Sequence, residues 1–150
     1  MEVLYHTKAQ ITFGEYKKYI LTLSKPRLLI TGILLFVFFM VIGTLTRQFL
    51  FYFAAVLLPV LEYFSTTRPL KKVYYSNKLA VNSELEYDFY DSYFMKKSRV
   101  GEERIEYSKL YKIIETKTNF YLMIASNQGY MLIKENMPEG MDVFLRKLKI

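Results

Sequence analysis

The side chains able to do acid–base, nucleophilic or metal chemistry are few and scattered. His6 is the sole histidine. Acid–base or metal roles need partners that its neighbours do not supply. It sits where Val3, Tyr5, Thr7, Ala9 and Ile11 alternate with other residues, a period that predicts a half-buried strand and a structural role. Asp88 with Asp91, and Glu102, Glu103 and Glu106, could in principle pair as carboxylates or hold a cation. Their spacing is not that of a calcium loop, so a solvated strand face and turn are expected. Glu62 lies near the end of a long apolar block, where an ionisable group can mark a relay or ion site. Its end position favours snorkelling or pairing with Arg68. Phosphate-binding glycine loops, G-x-S-x-G, H-E-x-x-H and kinase signatures are missing. Cysteine is absent, which removes disulfides, thiolate ligands and a Cys nucleophile. The fourteen tyrosines fall mainly in expected strands and interfacial helices, where they pack. The expectation is a chain that is not an enzyme, with no catalytic, cofactor-binding or metal-binding residues.

The apolar residues carry a stronger message, because they are concentrated. From Leu28 to Leu61 the only charge is Arg47. Leu28–Leu45 is 18 residues without a charge, close to the roughly 20 helical residues that span a bilayer core. Thr46, Arg47 and Gln48 interrupt the run, and a second one begins at Phe49. That second run reaches spanning length if Gln48 to about Thr67 are helical. The expected element is an antiparallel helical hairpin, about 28–46 and 48–67, with Pro59 inside its second helix. Gly32, Gly43, Ala54 and Ala55 could let the two helices approach closely. A buried hairpin in a soluble protein would need a polar face that neither run offers. The block starts too late and runs too long for a cleavable signal peptide.

Charge gives the orientation. The chain carries a formal net charge of +7, and much of the excess flanks the apolar block. Lys17, Lys18, Lys25 and Arg27 precede it; Arg68, Lys71, Lys72 and Lys78 follow it. No nucleic-acid motif accompanies these residues, so nucleic acid is not an expected partner. The positive-inside rule places both termini in the cytoplasm and Thr46–Gln48 outside, in a plasma-membrane, multi-pass arrangement. Lys17, Lys18, Lys25, Arg27, Arg68, Lys71 and Lys72 are the candidate membrane-surface contacts, with anionic phospholipid headgroups as their ligands.

The remaining segments read as an α+β assembly. Thr12–Glu15 is a capping-box pattern that opens a short helix with Tyr16, Tyr19, Ile20 and Leu23 on one face. Pro26 is expected to end or bend that helix. Beyond the hairpin, residues 68–78 are basic and helical for some turns. Leu85, Tyr87 and Phe89 then alternate with acidic residues, and strands are expected at 93–98, 104–107, 109–116, 120–126 and 130–134. Met141, Phe144, Leu145 and Leu148 recur at helical spacing after Pro138-Glu139-Gly140. The organisation expected is an N-terminal strand and juxtamembrane helix at 1–27, a transmembrane hairpin at 28–67, and a cytoplasmic domain at 68–150. Strands followed by a terminal helix suggest an antiparallel pleckstrin-homology-like β-barrel or sheet.

The run ELEYDFYDSYFMKKSRVGEERIEYSKLYKIIETKTNFYLMIASNQGYMLIKENMPEG, residues 84–140, resembles the YcxB-like family of bacterial membrane proteins. The resemblance rests on Tyr87–Tyr93, Ile105–Glu115, Phe120–Ile124 and Leu132–Met137. The segment Ile11–Tyr16 and the two adjacent apolar helices extend it. It implies a cytoplasmic pleckstrin-homology-like domain in a Gram-positive bacterium and supplies no catalytic residues. Two functional expectations follow. One is a small, non-enzymatic membrane protein whose cytoplasmic domain binds protein or anionic lipid at the inner leaflet. The alternative is a subunit, or an immunity- or transport-associated component, of a larger membrane complex. The sequence leaves homo-oligomerisation open.

Overall fold

A computed structural model describes residues 2–79 and 81–148. In chain order these form β1 (Tyr5–Ile11), α1 (Phe13–Thr46), α2 (Phe49–Thr67), α3 (Pro69–Ser76), β2 (Ser83–Phe89), β3 (Tyr93–Ser98) and β4 (Gly101–Glu106). Then follow β5 (Lys112–Glu115), β6 (Asn119–Met123), β7 (Gly129–Ile133) and α4 (Met141–Lys147). Two compact units result. One combines Met1–Thr12 with Leu79–Ile150, and the other is Phe13–Lys78.

The first unit contains two antiparallel sheets, ordered β1-β2-β3-β4 and β5-β6-β7. Although the whole second unit separates them in sequence, β1 and β2 pair along their full length, from Tyr5 opposite Phe89 to Ile11 opposite Ser83. The alternation in β2 has the expected consequence: Leu85, Tyr87 and Phe89 point into the core. Phe94, Ile105, Phe120, Leu122 and Leu132 meet them there from the other strands. The sheets do not close into a barrel. A 3-10 turn at Tyr107–Lys109 separates β4 from β5, so no ladder joins those strands. At the other side, Thr7 donates from Oγ1 to the Asn136 carbonyl at 2.9 Å, and Asn136 Nδ2 donates to the Lys8 carbonyl at 2.9 Å. Side-chain bonds thus tie β1 to the turn that follows β7.

Helix α4 spans both sheets. Met141 and Leu145 are fully buried in the core. Phe144 packs on Tyr5 (ring centroids 5.2 Å apart) and on Phe89 (6.4 Å). The helix begins after Gly140, whose φ of 83° is a left-handed conformation that favours glycine. Glu115 on β5 fastens it: Arg146 donates from Nε and a terminal nitrogen at 2.9 and 2.7 Å, and Lys134 Nζ donates at 2.6 Å. Another glycine is required by crowding. A Cβ on Gly129 would lie 2.7 Å from the Leu122 carbonyl oxygen and 2.7 Å from Met123 Sδ.

In the second unit α1 is continuous through Pro26, so of the two outcomes expected there, an end or a bend, the helix does not end. Proline removes one helical donor. Apolar helices tolerate it where local adjustments re-satisfy the freed carbonyl. Helix α1 is about 51 Å long and α2 about 28 Å at ~1.5 Å per residue. Arg47, with φ of 55°, turns the chain between them. Arg68 is itself helical (φ −58°, ψ −45°) and carries α2 directly into α3.

Two outcomes test these contacts. Gly129→Ala is expected to cost about 1–3 kcal/mol, because backbone and sulfur must both move; thermal unfolding of the detergent-solubilised protein measures it. The hydrogen bonds from Arg146 and Lys134 hold the Glu115 carboxyl at about 2, below its ordinary 4.5. A depressed folded-state pKa stabilises above the unfolded value, and that contribution fades as pH falls from 4.5 toward 2. The wild type should therefore lose its melting-temperature advantage over Glu115→Gln across that window.

Candidate functional site

The helical unit is built on a seam of small and polar residues. Gly43 and Ala55 are the buried positions of α1 and α2. Gly43 accepts the Tyr52 ring so closely that a Cβ there would stand 3.1 Å from the ring. Further along, a Cβ on Gly32 would stand 3.7 Å from Pro59 Cβ, and Thr31 donates from Oγ1 to Glu62 Oε1 at 2.7 Å. The other Glu62 carboxylate oxygen is buried without a partner. The expected pairing of Glu62 with Arg68 is absent. Six residues on, at ~100° per residue, Arg68 points about 120° away around the helix. Its guanidinium lies over the Phe64 ring instead, 5.5 Å from the centroid.

Away from the seam the helices are bare. Only 6% of each apolar window is buried. Leu29, Ile30, Leu34, Phe38, Leu50 and Phe53 are each more than half exposed. Both helices are long and apolar enough to cross a membrane.

The basic residues named from sequence lie around one end of this hairpin, and all seven are exposed. Helix α3 explains their arrangement. Leu70 and Tyr74, one turn apart, are its buried face. Tyr74 packs on Phe13 (5.7 Å) and Tyr16 (5.5 Å) from the first turns of α1. Tyr75 stacks on Phe13 at 6.3 Å. This aromatic neck brings Lys71 and Lys72 to the end of α1 that carries Lys17 and Lys18. Lys25 and Arg27 stand roughly 12–15 Å further along α1. Lys18 is partly neutralised by Glu15, 2.6 Å away. The seven residues therefore form a collar at staggered heights, with no single concave pocket. The sequence did not reveal the neck, although the spacing of Leu70 and Tyr74 on a short basic segment was its visible signal.

Of the carboxylates singled out in the β unit, Asp88 and Glu103 are engaged across strands. Asp88 Oδ1 lies 2.6 Å from His6 Nδ1, and Lys97 Nζ reaches Oδ2 at 2.8 Å. Burial raises the Asp88 pKa, but hydrogen bonds from His6 and Lys97 outweigh burial and leave it below the ordinary value. Glu103 accepts from Lys96 at 3.1 Å and from the Tyr130 hydroxyl at 2.9 Å. Among the described residues, no three His, Asp or Glu side chains are grouped to hold a metal ion.

These features define a small α+β chain in which two long apolar helices interrupt an antiparallel β unit. Residues 89–148 match the family model described as YcxB-like protein, so the chain carries a YcxB-like region from the end of β2 through α4. That match lies wholly within the β unit and includes neither apolar helix. No curated protein and no solved structure matches the chain.

The seam yields a direct test. Thr31→Val removes the donor to Glu62 and should weaken helix association by ~0.5–2 kcal/mol, the range of hydrogen bonds between membrane helices. Gly43→Leu should displace Tyr52 and weaken it further. Reversible unfolding in mixed micelles, followed by helix–helix energy transfer, reads both.

Proposed function

We propose that this chain is a non-enzymatic integral membrane protein that presents a binding module at the inner leaflet. In this reading α1 and α2 cross the bilayer with both termini cytoplasmic, the collar meets anionic headgroups, and the β unit is pleckstrin-homology-like. The observation that carries the proposal is the exposure of the two apolar helices. A core helix of a soluble protein would be mostly covered, whereas here 6% of each window is buried. So large an exposed apolar surface needs lipid or a partner to cover it. The basic collar at one end of the hairpin favours lipid, because anionic headgroups attract juxtamembrane Lys and Arg by about 1 kcal/mol each. The 4+3 arrangement of antiparallel strands, with a helix packed on both sheets, supports the pleckstrin-homology-like reading. The non-enzymatic part rests on Asp88 and Glu103, both already held by cross-strand partners.

The absence of native cysteine makes topology readily measurable. The full chain should resist alkaline carbonate extraction from membranes. Gln48→Cys should react with an impermeant maleimide added outside intact cells, and Lys71→Cys only after lysis. Extraction at high pH, or equal labelling of both, would overturn the reading. In nanodiscs mixing phosphatidylcholine and phosphatidylglycerol, the protein should enrich phosphatidylglycerol around itself. Replacing Lys17, Lys18, Lys71 and Lys72 with Gln should abolish that enrichment, as should high salt.

A further inference from the structure

The order of the smaller sheet leaves β5 at its edge, paired only with β6. Such a strand directs alternate N–H and C=O groups outward, where another strand can pair with them. Beside it runs α4, and a cleft of about 410 Å³ lies between them, lined by Tyr111, Lys112, Ile113, Glu115, Arg146 and Leu148 among others. That volume is within the usual range of ligand sites.

The walls of the cleft combine two chemistries. Tyr111 is 59% exposed and Ile113 is half-buried, so apolar surface faces the opening. Glu115 already accepts hydrogen bonds from Arg146 and Lys134, and Arg146 also pairs with Asp142 at 3.1 Å. Lys112 is outside that network and points its ammonium toward the Tyr111 ring, 5.5 Å from the centroid. Among the described residues Lys112 has no carboxylate partner, which leaves one uncompensated positive charge in the lining.

We propose that this cleft receives an extended acidic segment of a partner protein, which adds to β5 as a fourth strand. Main-chain hydrogen bonds to the edge would supply affinity; Tyr111 and Ile113 would take apolar side chains, and Lys112 would select acidic neighbours. The proposal rests on the reading of the β unit as a binding module, and it gives that module a site and a class of ligand.

The test uses the full chain in phosphatidylcholine nanodiscs, where headgroup charge does not compete. It is screened against hexapeptides alternating Asp or Glu with Ile, Leu, Val or Phe, and against a matched set carrying Lys instead. Acidic members should bind saturably, protect β5 amides from hydrogen exchange, and exceed the Lys set by at least tenfold. Lys112→Glu should lose at least tenfold in affinity for the acidic peptides at an unchanged melting temperature. An N-methylated peptide, unable to form the ladder, should not bind. Equal binding of both sets, no effect of Lys112→Glu, protection elsewhere than β5, or self-association that blocks the peptide would each overturn the site. Failure here with the phosphatidylglycerol enrichment intact removes the cleft alone. Extraction by carbonate removes the membrane reading, whatever the peptides do.

Discussion

The ladder between β1 and β2 is the constraint on which the rest of the chain depends. Ile11 stands opposite Ser83, yet the whole helical unit lies between them. A strand pair of this kind can form only if the chain that leaves at Thr12 comes back to the same place. The hairpin meets that requirement with two antiparallel helices, and α3 completes it. Tyr74 and Tyr75 against Phe13 and Tyr16 join the outgoing and returning segments within the helical unit itself. Aromatic pairs such as these contribute about 0.5–1.5 kcal/mol each beyond their burial. The neck thus lowers the entropy lost when β1 closes on β2.

The two units solve opposite solvation problems. In the β unit, apolar side chains turn inward and charged ones are matched across strands, as Lys8 is with Glu86 and Lys96 with Glu103. In the helical unit the polarity is reversed: the small and hydrogen-bonding residues Gly43, Ala55, Thr31 and Glu62 line the interior seam, while leucine and phenylalanine face out. An inverted distribution of this sort suits helices whose surroundings are as apolar as their side chains, where association relies on close packing and hydrogen bonds.

Much of this was legible in the amino-acid sequence, and the parts that were not share a cause. Alternation marked β1 and β2, turn residues delimited β3, and the spacing of Met141, Phe144 and Leu145 marked α4, because each signal is periodic and local. The apolar runs announced both long helices for the same reason. Local rules left two outcomes open at Pro26, an end or a bend, and the continuity of α1 removes the first. The stretch at 109–116 was expected to be one strand; Leu110 is buried and ends a 3-10 turn, which shortens β5 to Lys112–Glu115. Seven basic residues could be named, but their staggered heights depend on α3 folding back onto α1. Contacts such as Thr31 with Glu62 and Glu115 with Arg146 join residues 31 positions apart. No spacing rule reaches that far.

The discontinuous β unit also imposes an order on biosynthesis. β1 leaves the ribosome first and has no partner strand until β2 has been made. At ~5–20 residues per second, translation of the intervening chain takes roughly 4–14 s. During that interval α1 and α2 are already complete and able to enter a bilayer. The sheet therefore cannot finish until the hairpin exists, and a nascent chain whose hairpin goes astray is left with β1 unpaired and one edge of β2 open. Those edges would then be open to quality-control proteases, so the same ladder that joins the two parts of the β unit also reports whether the chain between them was delivered.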